Sequence, residues 1–146
     1  MIMNESFVSF ELAKRLKDNG FREMCLRYYD TEDDDRSFLY WNAHETTIAC
    51  SFYHSWNTRC EGYRYIRFDA PTIAQVLKWL REEKNKCLNV FGHWQVVDSE
   101  NEKVGFRYRY DVANTSNEKL MWNDEMFDSF EEAAIAGISF ILDNLI

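Results

Sequence analysis

Apolar residues recur at helical spacing in three stretches of this chain. In the first, Leu12, Ala13 and Leu16 line one face, Ser9 can cap the start and Gly20 suits the position just past the end, predicting a helix over 9–19. In the second, Ile73, Val76, Leu77 and Leu80 repeat at i, i+3, i+4 and i+7. Thr72 and Gln75 have the spacing of a capping box there, and Pro71 bars any helix from running in from upstream. The third begins at Ser129, which makes another capping box with Glu132, and continues through AAIAGISFILDNLI. That body is apolar around most of its circumference, which predicts a buried helix, central in the fold or at a subunit contact. Ala133 and Gly137, one turn apart, leave a bald stripe where another backbone can approach closely.

Two-residue periodicity fills the spaces between. Residues 24–29 and 37–41 read as strands of a hairpin around the acidic loop DTEDDDR, and 63–68, 88–97 and 105–112 read as three more strands. In the last, Phe106, Tyr108 and Tyr110 alternate with Arg107, Arg109 and Asp111, the mark of an antiparallel sheet with one solvated face. Residues 46–56 fit both periods: Ile48, Cys50 and Phe52 suit a strand, while Ile48, Phe52 and Trp56 suit a helix. Taking a strand there, the order α-β-β-(β)-β-α-β-β-α predicts an α+β fold. Its expected form is an antiparallel sheet of about five or six strands, with three helices packed mainly on one face. With 146 residues and no linker rich in Pro, Gly or Ser, the chain 1–146 reads as a single domain.

Composition adds a surplus of rings and of negative charge. Hydrophobic residues make up 46% of the chain, enough for a substantial core and too many for disorder. Five Trp, eight Tyr and eleven Phe exceed what one small core buries, so some rings are expected on a surface that a partner can cover. Seventeen Lys and Arg against twenty-five Asp and Glu give a net charge of −8, which repels duplex nucleic acid and anionic membranes at long range. The opening MIMNESFVSF has neither the basic nor the apolar region of a signal peptide, and the apolar stretch 133–142 is too short to span a bilayer. Cys25, Cys50, Cys60 and Cys87 form no CxxC pair and read as reduced, mostly buried thiols of a cytoplasmic protein.

Candidate chemistry is sparse. His44, Cys50, His54 and Cys60 are suitable zinc ligands, but their spacing matches no compact knuckle, and on a strand Cys50 and His54 lie about 13 Å apart. A helical 46–56 would bring those two together. The acidic run from Asp30 lacks the Gly and Glu of a calcium loop, offering Asp35 and Trp41 instead. Tyr63, Tyr65, Tyr108 and Tyr110, interleaved with arginines in YRYIRF and FRYRY, could stack single-stranded bases. The plainer reading is an aromatic inner face with arginines outside. No GxSxG, Walker, HExxH or Rossmann motif is present, and His54 with Cys60 is the pair around which a small thiol- or metal-dependent enzyme would be built. Trp79 lies beside the apolar stripe of the second helix, where partial exposure would make it an interface anchor.

The stretches FVSFELAKRLKDNGF (7–21), APTIAQVLKWLREEKN (70–85) and FDSFEEAAIAGISFILDNLI (127–146) resemble a family of small proteins from phages and prophage-like elements of gut Bacteroides-type bacteria. The family has no assigned activity, so the resemblance implies provenance and no site residue. Residues 42–61 look like an insertion relative to it. The expectation is a non-enzymatic protein-interaction module with an unknown protein partner and no cofactor. A homodimer is a further possibility, and single-stranded nucleic-acid binding or a small thiol- or metal-dependent enzyme are the alternatives.

Overall fold

The computed structural model describes residues 6–31, 37–41 and 66–146. Its elements run α1 (Phe10–Asp18), β1 (Arg27–Thr31), β2 (Ser37–Trp41), β3 (Ile66–Ala70), α2 (Ile73–Glu83), β4 (Lys86–Asp98), β5 (Lys103–Asn114), β6 (Lys119–Trp122) and α3 (Phe130–Asn144). The class is α+β with antiparallel pairing, as expected. The single sheet is not: the described strands form two three-stranded sheets, β2-β1-β3 and β4-β5-β6. Alternation along a strand reveals its two faces but not its neighbours, so the division was not visible in the pattern. By its own contacts the chain divides into two units, Met1–Gln75 and Val76–Ile146, the boundary falling inside α2.

In the first unit, local chemistry sets both ends of α1. The Leu12 N–H donates to the Ser9 hydroxyl, and Gly20, at φ 89°, closes the helix. Gly20 N–H donates to Lys17 O and Phe21 N–H to Leu16 O, the paired bonds of a Schellman motif that needs a left-handed residue at Gly20. Leu12, Ala13 and Leu16 form the buried stripe. Phe10 meets Tyr29 and Phe68 edge-on, each at 5.5 Å between centroids, which seats α1 against β1 and β3. β1 pairs with β2 from Arg27↔Trp41 to Thr31↔Ser37, the expected hairpin, and with β3 on its other side. The segment before α1 is tied down by Val8 N–H to Pro71 O and Ile73 N–H to Ser6 O.

The capping box at the start of α2 is present: Gln75 N–H donates to the Thr72 hydroxyl, and Thr72 N–H to Gln75 Oε1. In the second unit, β4 and β5 make a long hairpin, with a bulge at Val96/Asp98, and β6 adds a short strand at 119–122 that the sequence pattern had not suggested. Ser129 caps α3, accepting from Glu132 N–H. α3 buries Ala133, Ala134, Gly137, Ile138, Ile141 and Leu142 and leaves Phe130 and Ile135 exposed. The bald stripe at Gly137 is filled by side chains: a Cβ there would sit 2.4 Å from Leu88 Cδ1 and 3.0 Å from Tyr110 Cδ2. Thus α3 lies on the Leu88 and Tyr110 end of the hairpin. Among the described residues no helix is long and apolar enough to cross a membrane.

Candidate functional site

One face of the β4–β5 hairpin carries Leu88, Val90, Gly92, Trp94 and Val96 opposite Val112, Tyr110, Tyr108, Phe106 and Val104. It is apolar from end to end, but it is covered at one end only. Val112 and Tyr110 are buried, whereas Trp94 is 70% exposed, Val96 57%, Val104 51% and Phe106 41%. Length explains the difference. Thirteen strand residues span about 43 Å, and the fifteen residues of α3 about 22 Å, so the helix cannot cover the whole ladder.

The exposed end is ordered by its own rings. Phe106 stands edge-on to Trp94 and to Tyr108, each at 5.2 Å between centroids. The Phe106 ring can lie there because Gly92 has no side chain: a Cβ at 92 would fall 2.4 Å from its Cε1. The turn that ends the patch is polar, with Asp98, Glu100, Glu102 and Lys103 beyond Val96 and Val104. An apolar patch with a polar rim has the composition of a protein-docking surface.

The opposite face has different chemistry. Phe91 and Trp122 lie side by side, 6.4 Å between centroids, and the Arg109 guanidinium packs on both, 4.7 Å from the Phe91 centroid and 4.3 Å from that of Trp122, with the Lys119 ammonium 5.3 Å from Trp122. Arg109 Nε is buried and has no hydrogen-bond partner. Trp122 donates its indole N–H to Asp124, and Arg107 reaches Asp128 at 3.1 Å. Arginine here serves as a plane packed on aromatic rings as much as a charge.

These placements revise the residues singled out from sequence. Tyr110 is buried beside Phe127, and burial pushes its phenol up from the ordinary value; Tyr108 is half-buried, with its ring against Phe106. Neither stands on the arginine face, so the two do not form a stacking platform with Arg107 and Arg109. Trp79 is buried rather than partly exposed, its ring 5.3 Å from the Lys84 ammonium. Tyr63, Tyr65, His44, Cys50, His54 and Cys60 lie outside the described residues. Among the described residues no His, Cys, Asp and Glu group could hold a metal ion.

Cys25 is a poor nucleophile for a positional reason. Burial first, then the nearby Asp69 and Glu23 carboxylates, push the Cys25 thiol far above its ordinary value, so it stays protonated at neutral pH. Cys87 and His93 share the arginine face of β4 but are six residues apart, about 20 Å along a strand. The Trp94 and Phe106 patch was missed in the sequence, although W-x-V before the turn and V-x-F after it show apolar alternation running to the hairpin tip. Compared with known proteins, the chain matches no family model, no curated protein and no solved structure.

Proposed function

We propose that this chain is a non-enzymatic protein-interaction module, encoded by a phage or mobile element and acting in the bacterial cytoplasm. Its docking surface is the distal apolar face of the β4–β5 hairpin. The observation that supports it is the contiguous set Trp94, Val96, Val104 and Phe106, exposed on a face whose other end is core. Exposed tryptophan and phenylalanine on a rigid ladder provide large contact area at little cost in side-chain entropy. The provenance rests on the resemblance of the helical stretches alone.

The test is affinity capture and cross-linking of the tagged chain, with and without nuclease, beside the double variant Trp94→Ser, Phe106→Ser. Both side chains are exposed, so the variant is expected to keep its melting transition while losing its partner by at least about tenfold. A partner held equally by the variant overturns this surface. A second reading, single-stranded nucleic-acid binding, now draws on Phe91, Arg109 and Trp122 in place of the tyrosines. It is weaker because the Phe91 and Trp122 rings already pack on each other and carry Arg109 on the faces where a base would stack. Loss of all captured material on nuclease treatment would favour it.

A further inference from the structure

We propose that the partner is a second copy of this chain, joined antiparallel along the outer edge of β4 about a two-fold axis at Gly92; this rests on the protein-interaction reading. β4 is the outer strand of β4-β5-β6 and pairs, among the described residues, with β5 alone. It is thirteen residues long, and none of its described side chains is buried. Between Lys86 and Asp98 it contains no Asp, Glu, Lys, Arg or Pro. Edge strands are ordinarily blunted by charge, proline, shortness or a bulge; the bulge of β4 lies at its very end, at Val96/Asp98, and the opposite outer strand, β6, has only four residues. β4 has the length and composition of a strand that is paired on both sides.

The hydrogen-bonding groups of that edge can be assigned. Tyr108 exchanges backbone hydrogen bonds with Phe127, at 2.9 and 2.7 Å, so its N–H and C=O point away from β4. Gly92 is the Cα partner of Tyr108 and therefore sits in a non-hydrogen-bonded pair, turning its own N–H and C=O to the outer edge. Alternation gives Val90 and Trp94 the same outward direction.

A second β4 laid antiparallel about Gly92 meets these groups in register. Gly92 pairs with Gly92 of the other copy, Val90 with Trp94 and Leu88 with Val96, all on the apolar face. On the other face Phe91 meets His93, and Asn89 meets Gln95. The even register keeps the apolar faces of both copies on one side, which a one-residue slip would not. A two-fold axis normal to the sheet makes the pairing antiparallel, and the regular pairing ends at Val96, because the bulge at Val96/Asp98 turns Asp98 to the other face. Trp94 then packs beside Val90 of its mate, and the Phe106 ring, lying over Gly92, flanks the axis. The result is a six-stranded sheet, β6-β5-β4-β4-β5-β6.

Sedimentation equilibrium and amide exchange on the full chain, each over a dilution series, test this without mutation. The expected result is twice the chain mass at high concentration. The amides of Val90, Gly92 and Trp94 are then slowed by at least about tenfold relative to the dilute sample, while those of Asn89, Phe91 and His93, bonded to β5, are slow throughout. Val90→Pro deletes one outward donor, leaves the Trp94 and Phe106 patch in place, and is expected to yield a folded monomer. A monomer at all concentrations, or a dimer whose Val90, Gly92 and Trp94 amides exchange as in the dilute chain, overturns the proposal. A monomer that still captures another protein through Trp94 and Phe106 overturns the dimer alone, and one that captures none overturns the interaction reading as well.

Discussion

Asp98 shows how an exposed carboxylate organises the tip of the hairpin. Asn101 donates its side-chain amide to Oδ2 at 2.7 Å, and the backbone N–H groups of Glu100 and Asn101 donate to Oδ1 at 3.1 and 3.4 Å. The Asn101 side chain first, then the backbone amides, hold the carboxyl below its ordinary value. A group whose folded value is depressed stabilises the fold above its unfolded value, and that contribution disappears as pH falls through the folded one. Asp98 is therefore expected to titrate below the ordinary carboxylate range, with the turn loosening only in acid. Asn101→Ala removes the largest cause and should move the midpoint upward, measured by carboxyl-carbon NMR titration. An unchanged midpoint in the variant would show that the side-chain bond does not form in solution.

At the scale of elements, what was legible is what is local. The caps at Ser9, Thr72 and Ser129 and the Schellman glycine at 20 act within one turn of helix, so their residues stand together in the sequence and the three helices could be placed from them. β6 was not legible, because KLMW has neither alternation nor length and is held by pairing with β5. The alternation of tyrosine and arginine in β5 was read correctly, but how far α3 extends over that face depends on packing between distant segments. Tyr110 thus turned out to be core while Phe106, four residues away on the same face, is surface. Gly137 is where that packing is least forgiving. Replacing it with Val drives a branched side chain into Leu88 and Tyr110, and we expect a loss of about 2–3 kcal/mol from overpacking, read as a lowered denaturation midpoint. Ile135→Ala, on the exposed side of the same helix, should cost under about 1 kcal/mol and serves as the control.

For the molecule as a whole, charge opposes the association that the β4 edge favours. Each copy carries a net −8, and two copies repel at long range. The Debye length shrinks from about 30 Å at 0.01 M salt to about 10 Å at 0.1 M, so added salt removes most of that repulsion. The attraction at the seam comes from backbone hydrogen bonds and apolar contacts, which salt at these levels hardly changes. The proposed dimer should therefore tighten as salt rises over this range, and tighten again as pH falls toward the isoelectric point near 4.9. Sedimentation velocity at fixed protein concentration measures both. Binding to a nucleic acid would respond with the opposite sign, since each phosphate contact releases counterions and weakens with salt. A dimer that loosened with salt would place its attraction in charge pairs elsewhere on the surface, and the apolar pairs around Gly92 would then not be what joins the two copies.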